Sequence, residues 1–421
     1  MLPNLAPDLD LAARLFDALR ARTHDDVGIT REAYGPGERA AHTLVREAGE
    51  ALGLEARTDH MGNLYLTLPG TDRSAPAVVL GSHLDSVPRG GNYDGAAGVV
   101  AGLAAVAGFR RAGFVPARDV TVMAIRAEEA GAWFPTSYPG SRGALGRLRP
   151  EELDIQRLDS GRSLAEHMAE EGFDPEAARA GRAVLGPGNV CAFLELHIEQ
   201  GPVLESEEIP VGIVTGIPGS RRLRQGRVLG RYDHSGGTPR RHRRDAAIAL
   251  AEFAHRLDEA WAILDAQGRE MVATFCVLAT APEAGFTKIA GEARFQLDVR
   301  SVEMANVELL FAEIQRLAAE VSARRGVTFD LGPESGSQPA PMDAAIRAGL
   351  ARAAERLGVP HREMPSGGGH DAAAFAAAGI PAGMIFVRNQ NGSHNPNEDM
   401  RMEDFAKACA VLTAWAAEVS G

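Results

Sequence analysis

Short apolar runs recur along this chain, each closed by turn residues and separated from the next by a segment of helical period. Ala77-Val78-Val79-Leu80, residues 120–125, residues 192–198 and Met384-Ile385-Phe386-Val387 are the clearest. Runs of this length and composition form buried strands. Their alternation with helices is the rhythm of an α/β sheet covered on its faces. Helical spacing is predicted over residues 8–19, 38–53, 98–111, 343–357, 371–378 and 403–419, with a further strand at 62–66. Residues 147–189 turn polar, rich in Glu, Arg and Ala, and are predicted to be surface helices packed on the sheet.

At Gly212 the character shifts. From there to Gly332 the order reads strand, helix, strands, helix, strand, and Val307, Leu310, Phe311, Ile314, Leu317 and Val321 stripe one face of the second helix. A chain of 421 residues exceeds what one simple core holds. The expected fold class is therefore α/β: a main domain (1–212 and 333–421) with a mixed sheet flanked by helices, interrupted by an inserted α+β domain (213–332).

The net charge of −12 argues against a general nucleic-acid binder, which needs a basic surface. Cys191, Cys276 and Cys409 show no metal or redox spacing, so a reducing compartment without disulfides is expected. Residues 1–23 carry neither a basic nor an apolar signal region, and no apolar run reaches the roughly 18 residues of a membrane span. A cytoplasmic protein with no membrane partner is expected.

The chemistry lies at the strand ends. His83 follows the first apolar run, Asp85 stands two residues on, and Asp94 lies in the glycine-rich loop Gly90-Gly91-Asn92-Tyr93-Asp94-Gly95. Glu128-Glu129 follows the second run, His197 closes the third, and His394 comes soon after the fourth. In an open α/β sheet, strand ends of this kind share one edge. Imidazole and carboxylate ligands suit zinc, manganese, cobalt or nickel, and Asp85 is placed to hold the His83 ring through its second nitrogen.

These motifs resemble the dinuclear-metal aminoacylase/carboxypeptidase superfamily. Within it they resemble the hydantoinase/carbamoylase branch of N-carbamoyl-L-amino acid amidohydrolases, β-ureidopropionases and allantoate amidohydrolases. The likeness extends from about Asp8 to Val419. It is most specific at residues 81–95, at Glu195-Leu196-His197-Ile198-Glu199-Gln200-Gly201-Pro202, and at Pro365-Ser366-Gly367-Gly368-Gly369-His370-Asp371. The resemblance implies two divalent metal ions per chain, with Asp94 bridging, His83 and His197 completing one site, and Glu129 and His394 the other. It makes Glu128 the general base, and Gln200, Ser366 and Gly367 substrate contacts, with His370 either contacting substrate or orienting its loop. The inserted domain would be a lid and dimerisation domain, supplying His234 to the oxyanion and Arg300 to a substrate carboxylate in a homodimer. The implied reaction is hydrolysis of the ureido C–N bond of a small-molecule ureido acid, releasing ammonia and carbon dioxide.

Three stretches depart from the branch's pattern. Thr287-Lys288-Ile289-Ala290-Gly291 stands where Asn-Val-Ile-Pro-Gly is usual, so Thr287 replaces a substrate-contacting amide. Ser235-Gly236-Gly237 replaces Ala-Gly-Thr, and Ala130-Gly131-Ala132-Trp133-Phe134 replaces Gly-x-Arg-Phe. These changes bear on substrate identity and leave the expected ligands and base intact. Two other readings fit the same fold: an N-acyl amino acid amidase or dipeptidase, and a catalytically inactive binding protein.

Overall fold

The computed structural model describes residues 5–421, so the first four residues of the amino-terminal reading lie outside it. The chain divides into two compact units, residues 5–217 with 341–421, and Pro218–Ala340.

The first unit is built on an eight-stranded sheet. Its strands are β1 (Glu55–Thr58), β2 (Leu64–Leu68), β3 (Ala77–His83), β4 (Val120–Ile125), β5 (Val190–Ile198), β6 (Val211–Val214), β7 (His361–Met364) and β8 (Ala382–Val387), in the spatial order β1-β2-β4-β3-β5-β8-β6-β7. The central strands β4, β3, β5 and β8 run parallel. They are apolar and buried almost throughout, as strands covered on both faces must be. β2 lies antiparallel to β4 and β6 antiparallel to β8, so the sheet is mixed, as expected.

Helices Leu9–Thr23, Pro36–Ala51, Ala96–Arg111, Ala344–Arg356 and Met402–Ser420 bring their apolar faces to this sheet in one continuous core. The Ala96–Arg111 helix is buried on nearly every side. Its Gly98 lets it lie directly on β5, where an added Cβ would fall 2.2 Å from the Leu196 carbonyl oxygen.

Residues 147–189 differ from expectation. They form only a short 3-10 turn (Pro150–Asp154) and two short helices (Leu164–Glu170, Pro175–Arg179). Rather than covering the sheet, they bury Leu153, Leu164, Met168 and Ala178 in a satellite cluster with Met61, Ala127, Trp133 and Phe134. That cluster backs the turn after β4.

The second unit holds an antiparallel sheet in the order Val272–Thr280, Glu292–Ser301, Gly219–Leu229, Thr328–Asp330, with Glu334–Ser337 also paired to Gly219–Leu229. Ala293, Phe295, Leu297 and Val299 alternate inward along their strand. Helices Ala246–Ala266 and Met304–Arg325 add Leu250, Phe253, Leu310 and Ile314 to that core. The insertion begins and ends a few residues later than composition suggests. Val211–Val214 is a fully buried strand of the main sheet, and Glu334–Ser337 still pairs within the second unit.

Candidate active site

Because β3, β4, β5 and β8 are parallel, their carboxyl ends open on one edge, where loops gather side chains. His83 ends β3 opposite Ile125 of β4, and His197 lies opposite Phe386 of β8. Both imidazoles are buried. The Nδ1 of His83 is 3.0 Å from the Asp85 backbone oxygen and 3.3 Å from its Oδ1, and the Nδ1 of His197 is 2.9 Å from the Ile198 oxygen. These partners only accept, so each Nδ1 carries a proton, which leaves Nε2 as the atom each ring can offer a metal.

The two Nε2 atoms lie 3.4 Å apart, with Asp94 Oδ1 at 3.6 Å from one and 3.2 Å from the other. Asp94 Oδ1 is buried without a hydrogen-bond donor. These three ligand atoms converge, and the donor set fits a divalent cation. The other carboxylate oxygen, Oδ2, is 3.4 Å from His394 Nε2, which is 2.8 Å from Glu129 Oε1. Asp94 thus belongs to two ligand trios, His83-Asp94-His197 and Asp94-Glu129-His394. The histidines respond to this excess of carboxylate. Burial opposes charge on His83, yet Glu128 and Asp85 outweigh it and hold the ring well above its usual range. Hydrogen bonds to Asp94 and Glu129 raise His394 to about 10.

Asp94 is held from behind. Gly95 has φ +66, and a Cβ there would meet the His83 ring at 2.4 Å. Glu398 accepts the Tyr93 and Asp94 amides through Oε1 and the Ser393 hydroxyl through Oε2. The buried Arg31 guanidinium lies 3.3 Å from the Asp94 carbonyl oxygen. Beneath His197, Glu195 is fully buried, accepting from the Ser82 hydroxyl and the Ala372 amide.

The Glu128-Glu129 turn is fixed by two further carboxylates. Asp85 accepts the Glu128 amide on Oδ1 at 3.0 Å and the Glu129 amide on Oδ2 at 2.9 Å. Glu38, fully buried, accepts the Ala127 amide and pairs with Arg126 at 2.8 Å. Ala127 has φ +59, a left-handed conformation that a side chain disfavours, and Gln200 (φ +64) and His394 (φ +60) share it. Glu128 Oε2 lies 3.9 Å from His83 Nε2. Burial pushes its carboxyl well above the ordinary range; His83 opposes this, and Glu129, Asp371 and Asp85 reinforce it.

Gln200 Nε2 donates to Asp94 Oδ2 at 2.8 Å and lies 3.2 Å from His394 Nε2. The Ser366 amide is committed to the Gly216 carbonyl, so that part of the expected Ser366-Gly367 backbone contact is already taken. The Ser366 hydroxyl bonds to Gly368 and lies 3.1 Å from His370 Nε2. His370 is buried edge-on against His197, with ring centroids 4.4 Å apart. His370 thus links the Ser366 loop to His197. At the Ala130-Gly131-Ala132-Trp133 departure the chain forms a short helix, and Trp133 Nε1 donates to the Ser86 carbonyl at 2.8 Å.

His234, Thr287 and Arg300 lie in the second unit. Thr287 and His234 are brought together, since His234 faces Lys288 in a two-residue ladder and the Ser235 amide donates to the Thr287 carbonyl. His234 Nδ1 accepts the Gly236 and Gly237 amides at 3.1 and 2.8 Å, which makes Nε2–H a donor. Arg300 lies on the larger sheet, where its Nε and Nη2 donate to Asp298 Oδ2 at 2.9 and 2.7 Å.

Sequence reasoning missed Arg31, Glu38, Glu195 and Glu398. Glu195 falls within a motif already singled out, and its charge inside an otherwise apolar strand is a signal that could have found it. Nothing comparable distinguishes the other three.

Residues 79–418 match the peptidase family M20/M25/M40. The chain is 35% identical over 386 residues to an N-carbamoyl-L-amino-acid amidohydrolase of Paenarthrobacter aurescens, covering 91% of this chain and 92% of the relative. It is 33% identical to an allantoate amidohydrolase of Escherichia coli (strain K12), covering 91% of each. Among solved structures it is similar to a hydantoinase/carbamoylase-family amidase from Burkholderia multivorans, with a TM-score of 0.89, 28% identity and 99% of each chain covered.

Proposed function

This chain belongs to the M20/M25/M40 peptidase family, and on that footing we propose that it hydrolyses the ureido C–N bond of an N-carbamoyl amino acid or related ureido acid. Ammonia and carbon dioxide are the products released. The observation that carries this reading is Asp94, whose two carboxylate oxygens face separate His-containing ligand trios.

Two divalent ions per chain are the cofactors of this reading, one held by His83, Asp94 and His197 and the other by Asp94, Glu129 and His394. Bound there, such ions supply Lewis acidity, lowering the pKa of water and polarising the scissile carbonyl. Glu128 takes the water's proton and delivers it to the leaving nitrogen. Asp85 keeps the carboxylate aimed by fixing both amides of the turn. His234 offers its Nε2–H to the developing oxyanion, because its Nδ1 is occupied by two backbone donors. Arg300 receives the substrate carboxylate, pre-aligned by Asp298. Gln200 and the Ser366-Gly367 loop hold the remaining polar ends.

The active form in this reading is a homodimer joined through the second unit. Its edge strand Val272–Thr280 leaves Val272 and Leu278 about half exposed, a surface suited to pairing with a second copy. The enzyme acts in the cytoplasm, consistent with its free cysteines. Among the described residues no helix is long and apolar enough to cross a membrane.

The test is ammonia release by metal-reconstituted protein from N-carbamoyl α-amino acids, N-carbamoyl-β-alanine and allantoate, beside a dipeptide and an N-acetyl amino acid scored by free amine. Chelator-sensitive ammonia from a ureido acid is the expected result. Turnover of only the dipeptide or acetyl compound would replace this reading with a peptidase or acylase, and two bound metals with no turnover would favour a binding protein.

A further inference from the structure

The second unit carries a strong concentration of positive charge that the proposed reaction does not use. Although the chain has 56 acidic and 44 basic residues, Arg240-Arg241-His242-Arg243-Arg244 runs without an acid among them. These residues line an open cleft of about 1550 Å³. Arg231 enters from one side, and Arg324 and Arg325 from the carboxyl end of the Met304–Arg325 helix.

Seven arginines therefore meet in the cleft, and little neutralises them. Arg231 pairs with Asp233. Arg324 and Arg325 share the single carboxylate of Glu252. Asp245, the one acid in the wall, uses its Oδ1 to cap the Ala246–Ala266 helix through the Ala247 and Ile248 amides. Arg243 is committed to the Thr238 and Ser235 carbonyls. Among the described residues, the guanidinium groups of Arg240, Arg241 and Arg244 have no carboxylate or hydrogen-bond partner. The stem of Arg244 passes over Gly326, within van der Waals reach of a Cβ built there.

Like charges gathered at one concave surface repel, and a ligand bearing several anionic oxygens relieves that repulsion while satisfying guanidinium forks. We infer that this cleft binds a compact polyanion, whose clustered phosphate or carboxylate oxygens are taken by Arg240, Arg241 and Arg244. The excess of acidic residues over the rest of the chain disfavours an extended polyanion, which would run beyond the cleft into repulsive surface. Gly236 and Thr238 line the same cleft and belong to the loop that carries His234. The bound ligand would therefore touch that loop.

The experiment is calorimetric titration of the metal-loaded full chain with inorganic pyrophosphate and, separately, citrate, with metal content assayed after each run. One arm represents phosphate chemistry and the other carboxylate chemistry. Binding of either, weakening as salt rises, is expected. The triple variant R240Q/R241Q/R244Q should weaken it by about tenfold or more, with unchanged metal content and unchanged anion-free turnover. The charge-retaining variant R240K/R241K/R244K should bind more tightly than the Gln variant but less tightly than wild type, since it keeps the charge and loses the forks. Equal binding by wild type and the Gln variant would place the anion elsewhere and overturn the inference, as would no binding by wild type. Tighter binding of a single-stranded oligonucleotide than of pyrophosphate would overturn the compact ligand.

Discussion

Asp85 accepts the backbone amide of Glu128 at 3.0 Å while its carboxylate also stands 3.3 Å from the Nδ1 of His83. One side chain thus ties the end of β3 to the turn after β4, and sets a metal-ligand candidate and the candidate base relative to each other. An amide in its place keeps one acceptor and points a donor at a backbone N–H. Asp85→Asn should lower metal affinity or turnover by roughly 10–100-fold. Metal titration alongside steady-state kinetics checks this; a variant with normal metal content and normal kcat would deny Asp85 that role.

Glu128→Gln removes the proton carrier but keeps size and burial. Metal content should be unchanged, and kcat should fall by roughly 100- to 10,000-fold. Loss of metal together with activity would instead make Glu128 a ligand.

Gly95 combines a positive φ with an imidazole where a Cβ would stand. Gly95→Ala should cost about 1–3 kcal/mol from backbone strain alone, and the displaced His83 ring should bind metal more weakly. Denaturant unfolding and metal analysis measure the two effects separately. A variant with wild-type stability would mean that the loop re-forms without strain.

Glu152 gives a pH prediction away from the metal ligands. Burial raises its pKa, but Arg142, Thr136 and Arg149 overcome that and hold the carboxyl at about 2. A depressed folded pKa stabilises the protein above the unfolded value, near 4.5, and that stability drains away as pH falls toward the folded value. Wild type should exceed Glu152→Gln in stability by about 1–3 kcal/mol near neutral pH, with the gap closing below pH 4.5. Urea unfolding of both proteins at about pH 6 and about pH 3 would show it. A gap independent of pH would assign the stability to packing.

The metal-ligand candidates were legible because each follows an apolar run, and parallel strands deliver their ends to the same edge. Their supports were not. Glu38 looks like any acidic residue on an amphipathic helix, and only the fold carries it to Ala127, 89 positions along the chain. The proximity of His234 to Thr287-Lys288 is likewise invisible in sequence, since a two-residue ladder leaves no pattern. Residues 147–189 misled because charge-rich, alanine-rich composition suggests surface helices packed on the sheet. Their apolar residues instead gather behind Trp133 and Phe134.

Of Ala127, Gln200 and His394, all left-handed, the last two carry side chains that reach Asp94, whereas Ala127 contributes only a buried methyl to the satellite cluster. The conformational cost at Ala127 is therefore separable from chemistry. The turn is imposed from outside, by Glu38 and Asp85, against the residue's own preference. A glycine there would release the tension without altering any group that touches substrate. That relief is set against the buried methyl it would remove from the satellite cluster and the freedom a glycine adds to the unfolded chain.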